Sequence, residues 1–165
     1  MFSLDNLSLP KLEIDPTNLT SLLEKNLIEK EIPTLALCPG AEFGPSKRWP
    51  SEYYSEIAKT YISQGWNVLC IGSKNDENIG VEIENTNNLS HEKKFINLIG
   101  KTSLLDAIDL LAYTNKVVTN DSGLMHIAAA VGTPLVALYG PSSPEYTPPL
   151  IIKNKFSEKW MVTKR

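Results

Sequence analysis

Apolar and polar positions follow two alternating periods along this chain. Short continuous apolar runs recur between longer stretches whose apolar positions fall three and four residues apart, a strand-and-helix alternation. The first run, residues 34–38, is closed by Pro39-Gly40. Residues 51–64 then carry Tyr54, Ile57, Ala58, Tyr61 and Ile62 at helical spacing. Ser51 is the expected N-cap after Pro50, and Gly65 falls where a helix ends in the left-handed conformation. A second strand is expected over 66–71, then a short polar helix over 76–84, a polar loop over 85–94 and a third strand over 95–99. Ser103 caps an expected helix over 103–113, with Leu104, Ala107, Ile108, Leu111 and Ala112 on one face. Strands over 116–119 and 134–139 flank a helix over 124–131 that Gly132 stops. Ahead of them all, residues 17–30 read as a helix capped by Thr17 or Asn18.

Strands that are apolar throughout, rather than at alternate positions, belong to parallel sheets covered on both faces. About five such strands joined by right-handed helical crossovers predict an α/β fold, a Rossmann-like doubly wound parallel sheet. The organisation expected is a lead-in segment over 1–32, one Rossmann-like domain over 33–146, and an irregular basic tail over 147–165. In such a sheet, ligands bind at the carboxyl ends of the strands. The Gly, Pro and polar clusters of this chain fall at those ends: 39–49, 72–76, 100–103, 120–123 and 140–144.

Composition narrows the function classes. The chain has 165 residues, of which 42% are hydrophobic and 21% charged, enough for one folded core. A formal net charge of −3 argues against a nucleic-acid binder, yet leaves room for a small anion held by one or two local cations. Cys38 and Cys70 each sit inside an apolar run and read as buried free thiols. Together with His91 and His126 they show no metal-ligand spacing, so no metal is expected. With no signal-peptide pattern at Met1–Asp5 and no apolar run of the ~20 residues a membrane span needs, a cytoplasmic location is expected.

Four loops carry candidate chemistry. The loop from Pro39 to Pro50 brings Ser46, Lys47 and Arg48 to the ligand edge beside Gly40 and Gly44. A hydroxyl and two cations there suit a diphosphate, although the spacing is not that of a Walker A loop; the alternative is a solvated basic loop. After the second strand, Ser73 or Asp76 either reaches a ribose or simply caps the following helix. Thr102 lies beside the Ser103 cap, where backbone can line a nucleobase pocket. The segment Asn120-Asp121-Ser122-Gly123-Leu124-Met125-His126 closes the fourth strand and opens the next helix. Asp121 can accept bonds from sugar hydroxyls or cap that helix, Ser122 and Gly123 can offer N–H groups to phosphate, and His126 lies one turn beyond Ser122 on the same face.

Read together, these motifs resemble those of the ADP-heptose:lipopolysaccharide heptosyltransferases, and within that family the heptosyltransferase II type. The residues that carry the resemblance are Pro39-Gly40-Ala41-Glu42-Phe43-Gly44-Pro45-Ser46-Lys47-Arg48-Trp49-Pro50, Gly100-Lys101-Thr102-Ser103-Leu104, the 120–130 segment, and Tyr139-Gly140-Pro141-Ser142-Ser143-Pro144. The resemblance runs from about residue 33 to residue 144 and covers only the family's C-terminal half. It implies the C-terminal domain of a GT-B glycosyltransferase, which binds the ADP-heptose donor without a metal or cofactor. It implies that Lys47 contacts the donor phosphates, that Asp121 lies near the heptose with Ser46, Ser122, Gly123, Leu124 and His126 completing the donor loops, and that Thr102 lines the adenine pocket. Ser73 or Asp76 would contact the ribose.

The same resemblance implies an intact enzyme that moves L-glycero-D-manno-heptose onto the lipopolysaccharide inner core, at the inner face of the inner membrane. The acceptor site and general base belong to an N-terminal domain absent from these motifs. The catalytic residue is therefore unassigned here, and the chain alone is expected to bind donor without turnover. The alternatives are a non-catalytic remnant or subunit working with a separate N-terminal half, and another GT-B nucleotide-sugar enzyme such as an epimerase.

Overall fold

The structure, a computed structural model, describes residues 10–42 and 44–150. The residue 1–9 part of the expected lead-in and the basic stretch beyond residue 150 lie outside the described residues. Five strands, β1 (Thr34–Cys38), β2 (Asn67–Cys70), β3 (Phe95–Asn97), β4 (Lys116–Asn120) and β5 (Leu135–Leu138), form one parallel sheet in the order β3-β2-β1-β4-β5. The helices are α1 (Pro16–Lys25), α2 (Ser51–Ser63), α3 (Glu77–Thr86), α4 (Leu104–Tyr113) and α5 (Gly123–Ala130). The doubly wound α/β fold expected from the pattern is the fold observed.

The continuous apolar runs follow from burial on both faces. Ala36 of β1 stands between Leu69 of β2 and Val117 of β4. Side chains alternate across a strand. Leu35 and Leu37 therefore pack with Tyr54 and Ala58 of α2 and Ile79 and Ile83 of α3. Ala36 and Cys38 face Leu22 and Leu23 of α1, Leu110 and Leu111 of α4 and Ala128 of α5. Each fully buried aliphatic side chain contributes roughly 1.5–3 kcal/mol. Burial also pushes the Cys38 thiol up to about 12, so it stays a neutral, unreactive packing group. Among the described residues, no helix is long and apolar enough to cross a membrane.

Several element ends differ from the pattern reading. Asp15, not Thr17 or Asn18, caps α1: its carboxylate accepts the Thr17 and Asn18 N–H groups at 2.9 and 3.2 Å. Pro16 at the first helical position explains the shift, because its fixed φ suits N1 and it has no N–H to satisfy. This frees Asn18 to donate to Asp106 and Asp109 at 3.0 and 2.8 Å, which ties α1 to α4. The helix stops at Lys25 rather than at residue 30, because the Asn26 amide turns back onto the Leu22 carbonyl and Leu27 adopts a left-handed φ of 55°. Ser51 is the first residue of α2, and Pro50 holds the cap position with no side-chain bond. Gly65 has a φ of 88°, as expected for its place after that helix. The 76–84 helix is a 3-10 turn (Lys74–Asp76) followed by α3, and the 85–94 loop contains a second 3-10 turn, Leu89–His91.

Ser103 caps α4 as expected. Its hydroxyl accepts the Asp106 N–H at 3.2 Å, and the Asp106 carboxylate accepts the Ser103 N–H at 2.8 Å. Ser103→Ala removes one of these acceptors and is expected to cost about 1 kcal/mol. Urea unfolding checks it: the midpoint falls and the slope is unchanged.

Candidate functional site

Every strand runs the same way, so the loops after β1, β2, β4 and β5 gather at one edge. Chain direction in the sheet order reverses between β1 and β4, and loops that diverge at such a point leave a crevice. A cleft of about 310 Å³ lies there. Gly40, Gly72, Ser73 and Asp76 line it together with Thr102, Leu104, Ser122, Gly123, Leu124 and Ile127. The cleft is mixed in character: aliphatic Leu104, Leu124 and Ile127 line one part, hydroxyls and backbone another.

At the polar part, α5 begins with no side-chain cap. Ser122 holds the cap position in extended backbone, but its hydroxyl makes no cap bond. Asp121 lies one residue earlier, so the alternative reading of Asp121 as the cap does not hold. The first N–H groups of α5 stay available, and Gly123 is exposed with no atom within 4 Å of where a Cβ would stand. Free N–H groups and the positive end of a helix dipole make this a place for an anion.

Lys47 lies in a 3-10 turn (Pro45–Lys47) of the β1 loop, and Asp121 follows β4. Their side chains meet at 2.8 Å, with Asp121 6% exposed and Lys47 26%. The β5 loop closes the far side: the Tyr139 hydroxyl donates to the Thr147 carbonyl at 2.9 Å, and the Thr147 hydroxyl lies 3.5 Å from Asp121. Burial pushes the Asp121 carboxyl up. The hydrogen bonds and charge that Lys47 supplies, with Ser142 and His126 adding to them, outweigh burial and hold it below its ordinary value. The charged form is therefore the resting form, and the pair ties the β1 loop to the residue that precedes the α5 cap position.

Asp76 also lines the cleft and is already engaged. One oxygen accepts the Ser73 N–H and hydroxyl at 3.1 and 2.6 Å, and the other accepts the Arg48 guanidinium at 3.3 Å. Gly40 is required beside it, since a Cβ there would stand 2.4 Å from an Asp76 oxygen. The structure therefore brings Ser73, Asp76, Thr102, Ser122, Gly123 and Leu124 around one cleft and joins Lys47 to Asp121. Lys47 and Asp121 themselves do not line the cleft, and Ser46 and His126 are exposed and do not line it either. The pattern reading missed the Arg48–Asp76 pair, the need for Gly40, and the contribution of Thr147, which depend on residues far apart in sequence. Among the described residues, no group of histidine, cysteine or carboxylate side chains is placed to hold a metal.

The model for glycosyltransferase family 9 (heptosyltransferase) matches residues 5–159. This chain belongs to that family. It is 49% identical over 145 residues to lipooligosaccharide heptosyltransferase 2 of Haemophilus influenzae, an alignment covering 86% of this chain and 42% of the relative. To lipopolysaccharide heptosyltransferase 2 of Escherichia coli it is 46% identical over 141 residues, 86% of this chain and 40% of the relative. The solved structure of E. coli ADP-heptose lps heptosyltransferase II superposes with a TM-score of 0.84 at 42% identity, covering 98% of this chain and 46% of that one. The chain thus spans about two fifths of the length of the curated relatives it matches. The family 9 match embraces the β1 loop, the start of α4 and the β4–α5 turn, so the family region contains the whole cleft.

The Lys47–Asp121 pair has a defined pH signature. A carboxylate whose folded value lies below its ordinary value near 3.8 contributes stability that is present above that value and lost as pH falls through the folded one. Lys47→Ala is expected to cost about 1–2 kcal/mol at pH 7, less than a fully buried pair because the lysine is partly exposed. The difference from wild type is expected to shrink below about pH 4. Urea unfolding of both proteins at pH 7 and pH 3 measures it.

Proposed function

We propose that this chain is the donor-binding domain of a heptosyltransferase, and that its cleft holds ADP-heptose for transfer to the lipopolysaccharide inner core. One juxtaposition supports this most: the uncapped start of α5 lines a partly aliphatic cleft, and Asp121, one residue before the Ser122 cap position, holds Lys47. The likeness to heptosyltransferase 2 enzymes, and to the solved E. coli ADP-heptose lps heptosyltransferase II, supports that donor class.

In this reading the adenine enters the aliphatic part beside Leu104, Leu124 and Ile127, with Thr102 at its rim. The ribose lies against Ser73 and Asp76. The diphosphate meets the N–H groups of Ser122, Gly123 and Leu124, and Lys47 turns from Asp121 to its oxygens. A phosphate oxygen and a carboxylate compete for one ammonium, and the dianion gains the helix N-terminus as well. Asp121, freed from Lys47, accepts sugar hydroxyls, and Ser46 and His126 flank the two loops.

The reaction breaks the bond between the anomeric carbon and the β-phosphate oxygen, and ADP departs with one more negative charge. Lys47 and the α5 N–H groups stabilise that charge as it develops, which is where such donors act most strongly. The acceptor hydroxyl must lose a proton to a base held against it. In this proposal that base and the acceptor site belong to the part of the relatives' length that this chain does not span. Donor binding is accordingly the activity to measure on this chain.

Titration calorimetry with ADP tests the reading. Wild type is expected to bind, and Lys47→Ala to bind about tenfold more weakly, a difference of about 1.4 kcal/mol. UDP is expected to bind more weakly than ADP. A wild-type protein that releases no heat with ADP, or equal heat from both proteins, overturns the proposal.

A further inference from the structure

Asn120 is the last residue of β4 and has no exposed surface. Its side-chain N–H₂ donates to the Pro39 carbonyl at 2.7 Å. Its side-chain oxygen accepts the Trp49 backbone N–H at 3.2 Å and the Tyr54 hydroxyl at 3.0 Å. The partners themselves settle which end of the amide is which, because a carbonyl only accepts and a backbone N–H only donates. An aspartate would set a charge against the Pro39 carbonyl. An aliphatic residue would take this partner from the Pro39 carbonyl and the Trp49 N–H, and leave the Tyr54 hydroxyl only the Cys38 carbonyl at 3.5 Å.

Two of the three partners, Pro39 and Trp49, are the ends of one loop, and the third, Tyr54, lies in α2. Pro39 follows β1 and begins the segment that bears Gly40. Trp49 ends the same segment two residues after Lys47 and packs edge-on against the Tyr54 ring with centroids 5.4 Å apart. Asn120 is in turn joined to Asp121 by one peptide bond, and the Asp121 N–H is held by the Leu138 carbonyl of β5 at 3.0 Å. One amide therefore clamps both ends of the Lys47 loop to the residue beside Lys47's partner. Neighbouring β4 positions Val117 and Val118 meet the demands of packing with hydrocarbon, so burial alone does not call for an amide here.

We propose that Asn120, supported by Tyr54, is a positioning residue: it sets the reach of Lys47 onto Asp121 and, when donor binds, onto the diphosphate. The diphosphate part rests on the functional reading above, whereas the Lys47–Asp121 part does not. Among the described residues, the charged or titratable groups acting around Asp121 are Lys47, His126 and Tyr139, and of these Lys47 alone is carried by the clamped loop.

The test is a carboxyl-detected NMR titration of Asp121 in the full chain, on wild type, Asn120→Ala and Tyr54→Phe, each with and without Lys47→Ala. Asn120→Ala is expected to raise the Asp121 midpoint by about half a pH unit or more when Lys47 is present, and to leave it unchanged when Lys47 is absent. Tyr54→Phe is expected to give a smaller shift with the same dependence on Lys47. No shift, or an equal shift in both backgrounds, overturns the proposal, since a general structural role would not need Lys47. If Asn120→Ala fails to fold, the near-isosteric Tyr54→Phe decides by the same criterion. ADP titration of the same proteins is expected to show a loss of about tenfold for Asn120→Ala with Lys47 present and under about twofold without it. A wild type that binds no ADP overturns the functional reading and leaves the Asp121 titration to decide the positioning role.

Discussion

Covering β1 on all sides is the constraint on which the rest of this structure depends. The strand is hydrogen-bonded to β2 along one edge and β4 along the other, and helices pack on both of its faces. All its pairings, and those of its neighbours, are parallel, so each strand enters the sheet in the same direction and its loop leaves at the same edge. The chain first winds from β1 through β2 to β3, then returns past β1 to place β4 and β5 on the other side. The β1 and β4 loops emerge from adjacent strands but lead to helices on different faces. The cleft is the space left between them, and the residues that line it are there because no crossover can cover that point.

The electrostatics of the site follow from the same geometry. A chain of net charge −3 cannot attract an anion by its overall field and must build a local one. It does so with the two cations of the β1 loop, each held by a carboxylate from a different strand end: Lys47 by Asp121 and Arg48 by Asp76. These pairs keep the cations in place without leaving either carboxylate buried and alone. The start of α5 differs, because no side chain caps it and its N–H groups have no competing acceptor there. In the proposed function, an arriving diphosphate meets fixed dipoles already oriented and a lysine that changes partner, an arrangement that costs little reorganisation.

Much of the fold could be read from the pattern, and the reasons are local. A strand buried on both faces is apolar at most positions rather than at alternate ones, so β1, β2, β4 and β5 stand out as short runs between turns. Ser103 and Gly65 could be placed because capping and left-handed ends depend on neighbours within four residues. The readings that moved were those with several local solutions. Asp15, Thr17 and Asn18 can all cap a helix, and Pro16 together with the carboxylates of α4 selected Asp15. Asp76 reads as part of a capping turn or, less simply, as a ribose ligand, and the structure shows it holding Ser73 and Arg48. Asn120 was hidden for another reason: Asn-Asp-Ser-Gly has the composition of a turn, yet its first member is the buried end of a strand.

By itself, the sequence determined the fold class, the five strands and the edge where polar loops gather, because periodicity and chain-breaking residues act within a few positions. It also determined the family, through motifs long enough to be specific. Tertiary structure alone decided which loops face each other. Lys47 and Asp121 are 74 positions apart, and Asn120 and Pro39 are 81 apart. No local propensity encodes such a meeting; it exists because strand order brings β1 beside β4, and the order of strands is a property of the whole packed sheet.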